Sequence, residues 1–196
     1  MNLNQRQMEI LSSISKLEIL TRSQIQKLHD TKSVRNTNYV LNKLTPYLNS
    51  IRLHENAYYL NKRGTELLGS TIKFKYSSQI HHKLLRNDMY VLLRPRKWHP
   101  EVEFKVGSLV IKPDVFLYAE QNCFLEVDNM QRWNVNVSKM ETYSKLKRTG
   151  VFEKKYGKFP LVIWVTTFPG RKEKLEKLSK DLGVTVKVYL DSEVKA

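Results

Sequence analysis

Three acidic residues in the second half of the chain have the types and spacing of a metal-dependent site. Asp114 ends the run KPD, and Glu126 and Asp128 follow in the run FLEVD. Glu126 and Asp128 are two residues apart, so on a strand both side chains point to the same face of a sheet. Carboxylates grouped in this way repel each other unless a cation lies between them, and Mg²⁺ or Mn²⁺ prefers such oxygen ligands. A cation of this kind activates water and stabilises displacement at phosphorus.

One further acid and a basic helix extend this predicted site. Glu103 lies in a predicted strand over residues 101–106 and is the fourth candidate metal ligand. The helix predicted after Asp128 carries cations that would hold a phosphate backbone; they are Lys139, Lys145, Lys147 and Arg148. The alternative is that the acids are surface strand residues whose charge is offset by nearby Lys and Arg side chains.

The elements that must position these acids are predicted from the spacing of apolar residues. In chain order they are a helix over 77–93, strands over 101–106, 109–118 and 122–128, a helix over 134–148, a strand over 159–166, a helix over 171–182 and a strand over 184–190. The run 159–166 is almost continuously apolar, which is typical of a strand buried on both faces. The order α-β-β-β-α-β-α-β predicts a mixed α/β (α+β) fold.

The first part of the chain has a different pattern, which predicts a winged helix-turn-helix. Helical spacing covers residues 4–17, and Thr21 and Gln24 form a capping-box pattern at the start of a short second helix. Two short strands in SIRL and AYYLN and a helix in KRGTELLG come after a third helix. One face of that third helix is predicted to be buried through Val34, Thr37, Leu41, Leu44 and Leu48.

The other face of the third helix carries the residue types that contact DNA. In a helix-turn-helix protein this helix enters the major groove, and the wing lies along the backbone. Arg and amide side chains suit base edges, whereas Lys suits phosphate. The candidate contacts are Arg35, Asn36, Asn38, Tyr39 and Lys43 in the helix and Arg52 and His54 in the wing. The alternative is that these side chains only solvate an exposed helix face.

Composition favours a polyanionic partner and disfavours several other classes. The 196 residues carry a formal net charge of +15, and 41% of them are hydrophobic, enough for a packed core. Residues 1–76 carry 12 basic and 5 acidic side chains and residues 77–196 carry 22 and 14, so both parts are basic. Apolar runs are too short for a membrane span, and the single Cys123 cannot form an internal disulfide. We therefore expect a cytoplasmic protein whose leading partner is nucleic acid.

The order of elements, with KPD followed by EVD, resembles the core of the PD-(D/E)xK nucleases. In that core the Asp and the Glu bind the metal, and a Lys two positions after the Glu positions the nucleophile. The resemblance implies metal-binding roles for Asp114 and Glu126. Asp128 stands at the position of the Lys, and Lys139 in the following helix is the candidate replacement.

A closer resemblance covers nearly the whole chain. The runs AYYLNKRGTELL, HHKLLRND, EVEF, IKPD, FLEVDN and TYSKL are similar to the pattern of the replication-relaxation family of plasmids, phages and integrative elements. The pattern of that family has Asp at the position of Asp128. The resemblance implies association with DNA and a role in plasmid replication or DNA relaxation.

These observations predict two domains, a winged helix-turn-helix over residues 1–70 and a PD-(D/E)xK nuclease-like domain over residues 77–196. We expect a DNA-binding protein of a mobile element, and metal-dependent nicking by Asp114, Glu126, Asp128 and Lys139 is an open question. The alternative is a non-catalytic regulator or accessory protein whose second domain serves dimerisation or partner contact. Expected partners are double-stranded DNA and replication or relaxosome proteins, with a homodimer as an open option. The expected cofactor is Mg²⁺ or Mn²⁺ if the site is catalytic and none otherwise.

Overall fold

The computed structural model describes residues 3–72 and 74–195. Contacts within the chain divide it into two compact units, one ending at Val91 and the other formed by Leu92–Lys195. Both helices and sheets are present in each unit, so the predicted mixed α/β class is confirmed. Across the described ranges, the helices are too short or too polar to cross a membrane.

The first unit contains helices, a short strand and a hairpin. Its elements are α1 (Gln5–Leu17), β1 (Leu20–Thr21), α2 (Arg22–His29), α3 (Val34–Lys43), β2 (Leu48–Arg52), β3 (Asn56–Leu60), α4 (Lys62–Leu68) and α5 (Ile80–Leu93). The three strands form an antiparallel sheet in the order β1-β3-β2. This order of helices, short strand and hairpin is the arrangement of a winged helix-turn-helix.

Side-chain caps explain where the helices of this unit begin. Asn4 caps α1, and Thr21 caps α2 in a capping box with Gln24, as the sequence predicts. Ser33 accepts a hydrogen bond from the backbone N–H of Asn36 at the start of α3. Each cap pairs an N–H group that the helix itself leaves without a partner.

The third helix is shorter than the apolar spacing predicts. It ends at Lys43, and Leu48 is the first residue of β2. Pro46 explains the end, because a proline ring clashes with the carbonyl four residues earlier and offers no N–H. Thr37, Leu41 and Leu44 are buried as predicted, but Val34 is 48% exposed because it lies in the first turn, outside the core.

Helix α5 is attached to the first unit by buried polar side chains. The amide of Asn87 donates hydrogen bonds to the backbone carbonyls of Leu17 and Ile19 at 3.0 and 2.7 Å. The amide of Gln24 donates to Asp88 at 2.7 Å and to the carbonyl of Leu84 at 2.8 Å. The residues of α5 up to Val91 belong to the first unit. The functional domain bounds 1–70 and 77–196 stay a prediction.

The second unit is built on a five-stranded mixed sheet. Its elements are β4 (Lys97–Pro100), β5 (Phe104–Val106), β6 (Leu109–Ile111), β7 (Val115–Tyr118), β8 (Asn122–Asp128), α6 (Trp133–Arg148), α7 (Val151–Tyr156), β9 (Leu161–Thr166), α8 (Pro169–Asp181), β10 (Val186–Leu190) and α9 (Asp191–Val194). The sheet order is β10-β9-β8-β7-β4, in which β8, β9 and β10 are parallel. Strands β5 and β6 form a separate hairpin.

Two of the strands predicted in this unit are interrupted. Glu101 has a φ of +54° and follows β4, a strand that the sequence analysis missed, so Glu101 and Glu103 do not share one strand. The run 109–118 is divided into β6 and β7 at residues 112–114. Pro113 explains the division, since it has no N–H to give to a strand ladder. Asp114 therefore lies in a bend directly before β7 rather than within a strand.

Gly64 in α4 provides a test of packing in the first unit. A Cβ atom at this position would overlap the backbone carbonyl oxygen of Tyr47. Ala favours a helix over Gly by about 1 kcal/mol, but a backbone overlap costs more than that. We expect Gly64→Ala to lower the free energy of unfolding by about 1–3 kcal/mol in urea denaturation.

The control is Gly170→Ala in α8, where a Cβ would meet nothing within 4 Å. We expect this control to leave stability unchanged or to raise it by less than about 1 kcal/mol. Equal stability of Gly64→Ala and the wild type would contradict the packing described for α4.

Candidate nucleic-acid interface and carboxylate site

The solvent-facing side of α3 combines cations, an aromatic ring and an amide. Arg35, Asn38, Tyr39 and Lys43 are all exposed, and Tyr39 is 58% exposed. Arg35, Tyr39 and Lys43 are spaced by four residues, so they form one stripe along the helix. The ammonium of Lys43 lies 4.3 Å from the ring centroid of Tyr39, a cation–π contact. The structure thus brings four of the predicted DNA contacts onto one accessible face.

Asn36 is placed differently from the other predicted contacts. Its side chain is half-buried, and its Nδ2 atom donates a hydrogen bond to the backbone carbonyl of Thr31 at 2.9 Å. This bond anchors the turn that precedes α3. Asn36 as a base-reading residue stays a prediction. The hydrogen bond to Thr31 is a structural role of the same side chain.

The wing carries the two remaining predicted contacts. Arg52 is exposed and donates a hydrogen bond to the side chain of Asn56 at 3.3 Å across the hairpin. His54 is exposed at the hairpin turn, with its Nε2 atom 3.8 Å from the carboxylate of Glu55. Both side chains are available to a ligand along the wing.

Glu55 fixes the wing to the start of α2, a role that the sequence analysis missed. Its carboxylate accepts hydrogen bonds from the backbone N–H of Ser23 at 3.2 Å and from the hydroxyl of Ser23. The guanidinium of Arg22 lies 2.9 Å from the same carboxylate. A carboxylate at a helix N-terminus also interacts favourably with the helix dipole. The hairpin is therefore held against the helix-turn-helix rather than projecting freely.

Glu126 is the centre of the second candidate site. It lies in the middle strand of the sheet and is completely buried. Its Oε2 atom accepts a hydrogen bond from the ammonium of Lys139 at 2.5 Å, and its Oε1 atom accepts one from the Tyr143 hydroxyl at 2.6 Å. Lys139 and Tyr143 are four residues apart on α6, so both reach the same carboxylate.

The other two predicted acids flank Glu126. Val115 lies opposite Leu125 in the ladder, which places Asp114, one residue earlier, beside Glu126. The Oδ2 atom of Asp114 accepts a hydrogen bond from the backbone N–H of Val127 at 2.7 Å. The structure therefore brings Asp114, Glu126 and Lys139 together as predicted, although Asp114 is held by the backbone of β8.

Asp128 has its own set of partners. It is completely buried, and its Oδ1 atom lies 2.6 Å from the guanidinium of Arg171 in α8. Its Oδ2 atom accepts a hydrogen bond from the hydroxyl of Thr166 at 3.0 Å. Asp128 and Thr166 are register partners at the ends of two parallel strands. Arg171 was not predicted, because nothing in its local sequence links it to β8.

The charges in this cluster act strongly on one another. Burial above all, and the neighbouring carboxylate of Asp114, raise the pKa of Glu126, whereas Lys139 lowers it, and the net result is a pKa of about 7. Burial opposes the charged form of Lys139, but the carboxylates around it, that of Glu126 first, outweigh burial and raise the pKa of its ammonium. Burial and the carboxylate of Glu126 raise the pKa of Tyr143, which stays protonated and donates. The ammonium of Lys139 thus lies among the three carboxylates, and Arg171 is a second cation at Asp128.

Glu103, the fourth predicted metal ligand, lies outside β8 and α6, the two elements that carry Glu126 and Lys139. It is exposed in the segment before β5. Within the part of the chain that the structure describes, no group of three His, Cys, Asp or Glu side chains is arranged to hold a metal ion. The metal-binding roles of Asp114, Glu126, Asp128 and Glu103 stay predictions.

Two buried polar groups near this cluster were not foreseen. Asn136 is completely buried in the first turns of α6, and in the described ranges neither its Oδ1 nor its Nδ2 atom has a hydrogen-bond partner. Trp164, the register partner of Glu126 in β9, is also completely buried. Its indole N–H likewise has no partner among the residues that the structure describes.

The fold and the two candidate sites define a class of protein, a winged helix-turn-helix followed by an α/β unit with buried carboxylates on its central strand. The model of the replication-relaxation family matches residues 11–162, and the chain belongs to this family. The family is associated with replication or relaxation of plasmids and other mobile elements. The match includes α3, the wing and the Glu126 cluster and ends in β9, before Arg171. No curated protein and no solved structure matches the chain.

Removal of the cation at position 139 tests the electrostatic account of this site. Lys139→Met keeps much of the side-chain volume but leaves Glu126 buried without its cation. We expect a loss of about 3 kcal/mol in the free energy of unfolding, since breaking one partner of a buried ion pair leaves an uncompensated charge. The measurement is urea denaturation at about pH 5 and about pH 8.

The sign of the pH dependence follows from Glu126. Its pKa in the folded protein is raised to about 7, so the folded state holds the proton at pH values where the unfolded chain has released it. Stability from this group is therefore present at low pH and decreases as pH rises towards 7. The loss in Lys139→Met should be larger at about pH 8, because buried Glu126 then either carries a charge without its cation or must hold a proton that the unfolded chain has released. Lys145→Met, at an exposed position of the same helix, should change stability by less than about 0.5 kcal/mol. The same loss at both pH values would contradict this account.

Proposed function

We propose that this protein binds double-stranded DNA of a mobile element through α3 and the wing, as part of replication or relaxation of that DNA. The observation that carries the proposal is the exposed stripe of Arg35, Tyr39 and Lys43 on the third helix of a winged helix-turn-helix. Family membership supports the same biological setting. The proposal places the protein in the cytoplasm, with the DNA.

The chemistry of the stripe supports contacts to both bases and phosphates. Arg35 and Asn38 carry donors that pair with base edges in the major groove. Lys43 carries a positive charge in the last turn of α3, which suits a phosphate. Its cation–π contact with the ring of Tyr39 restricts the positions that the ammonium occupies. Arg52 and His54 on the hairpin are suited to the adjacent backbone. Because Glu55 holds the hairpin to α2, helix and wing present one preformed surface.

A second candidate function, DNA nicking, is favoured by a specific observation in the other unit. Glu126, Asp114 and Lys139 are the three residue types of the PD-(D/E)xK resemblance, and the ammonium of Lys139 lies 2.5 Å from Glu126. The all-oxygen donor set fits Mg²⁺ or Mn²⁺. Such an ion would supply Lewis-acid stabilisation and an activated water, and Lys139 would orient the attacking water and stabilise charge on the phosphate.

The non-catalytic alternative also has support in the structure. Both Glu126 and Asp128 are completely buried, and every carboxylate oxygen of the two residues accepts a hydrogen bond. In this alternative the ion pairs hold the second unit together, and the unit serves dimerisation or contact with replication or relaxosome proteins. Both versions keep DNA binding by the first unit.

Loss of Lys43 tests the proposed DNA surface. We expect Lys43→Ala to weaken binding to duplexes of all sequences and to reduce the slope of log K against log salt by about one, because one phosphate contact is lost. The measurement is fluorescence anisotropy of a labelled random-sequence duplex over a series of KCl concentrations. Lys62→Ala is the matched control, since Lys62 is highly exposed in α4 and lies outside the proposed surface. An unchanged slope in Lys43→Ala would remove α3 from the interface.

Incubation with supercoiled plasmid tests the second candidate. If the Glu126 cluster cuts DNA, the wild type converts supercoiled to open-circular plasmid in Mg²⁺ or Mn²⁺ but not in EDTA, and Asp114→Asn or Glu126→Gln abolishes the conversion. Glu141→Gln, at an exposed position of α6, is the control and should nick normally. Retarded plasmid without any nicking in either metal would favour the non-catalytic alternative.

A further inference from the structure

The segment over residues 145–158 concentrates positive charge on the surface of the second unit. It contains the last turn of α6, all of α7 and the turn that follows, and it carries six basic side chains and one acidic side chain. The ammonium of Lys147 donates a hydrogen bond to the backbone carbonyl of Gly183 at 2.7 Å. The other five cations are exposed and are called the 145–158 surface below; they are Lys145, Arg148, Lys154, Lys155 and Lys158.

The chain itself does not neutralise the 145–158 surface. Along residues 3–72 and 74–195, none of its five cations forms an ion pair with an Asp or Glu side chain. Helix α8 is different, because residues 171–182 carry five basic and three acidic side chains. Two of the cations of α8, Arg171 and Lys172, pair with Asp128 and Glu193. Like charges held close together repel each other, so the 145–158 surface favours a polyanionic partner.

The 145–158 surface is carried on a helix that is fixed to the core. Phe152 of α7 is buried, and its ring centroid lies 5.4 Å from that of Phe124 and 5.5 Å from that of Phe159. Lys154 follows Phe152 by two positions, so it lies on the opposite side of the helix. Gly157, with a φ of +81°, ends α7 and donates its N–H to the carbonyl of Glu153 at 2.8 Å. The cations therefore need little ordering before they meet a ligand.

The 145–158 surface is separate from the ion pair of Asp128. Burial raises the pKa of the Cys123 thiol to about 11 against the opposing charge of Lys158, so Lys158 lies near Cys123. Cys123 and Asp128 lie near the two ends of β8, roughly 17 Å apart along the strand. An anion at Lys158 would thus bind at the end of β8 away from Asp128.

The dimensions and residue types of this surface match a nucleic-acid backbone. Helix α7 has six residues and is therefore about 9 Å long. Each strand of duplex DNA carries one phosphate per roughly 3.4 Å of helix axis, so the surface spans a few phosphates. Lys is a point charge that suits phosphate, and the segment has a single Arg and no Asn or Gln to read base edges. These features favour a contact that does not depend on DNA sequence.

We propose that the 145–158 surface binds the phosphate backbone of duplex DNA, as a contact of the second unit distinct from α3 and the wing. The inference rests on the proposed function, because it takes duplex DNA as the partner. It adds a sequence-independent contact that involves neither the wing nor the buried carboxylates.

Two double variants of the full-length protein with equal net charge test the proposal. The surface variant is Lys154→Gln with Lys158→Gln, and the α8 variant is Lys174→Gln with Lys177→Gln, at exposed positions of the same unit. We expect the surface variant to bind duplex DNA about tenfold more weakly and to lower the slope of log K against log salt by about two, because two phosphate contacts are lost. The α8 variant should keep the wild-type slope.

The measurement is fluorescence anisotropy over a series of KCl concentrations, with two labelled duplexes of unrelated sequence. The loss in the surface variant should be the same for both duplexes, since phosphates carry no sequence information. Urea denaturation of both variants accompanies the titrations, because cations in the last turn of a helix also interact favourably with the helix dipole. We expect both variants to unfold at the urea concentration of the wild type.

The outcomes separate this proposal from the one that concerns α3. An equal loss of affinity in the two double variants is a general effect of net charge and overturns the proposal. Lower stability of the surface variant with an unchanged salt slope assigns its cations to the helix ends and also overturns it. If Lys43→Ala leaves the slope unchanged while the surface variant lowers it, α3 is removed from the interface and the present proposal stands. Absence of DNA binding by the wild type overturns both.

Discussion

The second unit depends on the neutralisation of a carboxylate in the middle of its sheet. Glu126 is completely buried on the central strand, where an isolated charge would be prohibitively costly. Lys139 and Tyr143 reach it from α6, and that requirement fixes both the rotation of the helix and its height above β8. Arg171 does the same for Asp128 from α8. The ion pairs therefore determine how two helices are seated on the sheet, in addition to the aromatic core around Phe124 and Tyr143.

The first unit is organised by hydrogen bonds from side chains to the backbone. Asn87 pairs with the carbonyl of Leu17 at the end of α1 and with that of Ile19 just after it, and Glu55 pairs with the start of α2. These contacts connect the long helix α5 and the hairpin to the helix-turn-helix. The exposed stripe on α3 is consequently carried by a scaffold whose elements are fixed to one another, which favours a preformed surface.

The sequence predicts local features of this protein well and long-range ones less well. The capping box of Thr21 and Gln24 and the span of β8 follow from short patterns, and the structure confirms them. The division of the run 109–118 into β6 and β7, with the bend at Asp114, was missed, because apolar spacing continues across Pro113 while the strand ladder does not. Arg171 lies 43 positions from Asp128, so only the folded sheet brings the two together. Asn136 could not be distinguished from any other amide, since its lack of partners is a property of the core.

Lys139 and Arg171, the two cations beside the buried acids, have a consequence for how the chain folds. In proteins whose acidic or thiolate clusters are neutralised only by a metal, the apo chain does not fold, and folding depends on metal supply. Here Lys139 and Arg171 come from the chain itself and pair with Glu126 and Asp128. These two ion pairs therefore let the second unit bury Glu126 and Asp128 with cations that are part of the same chain.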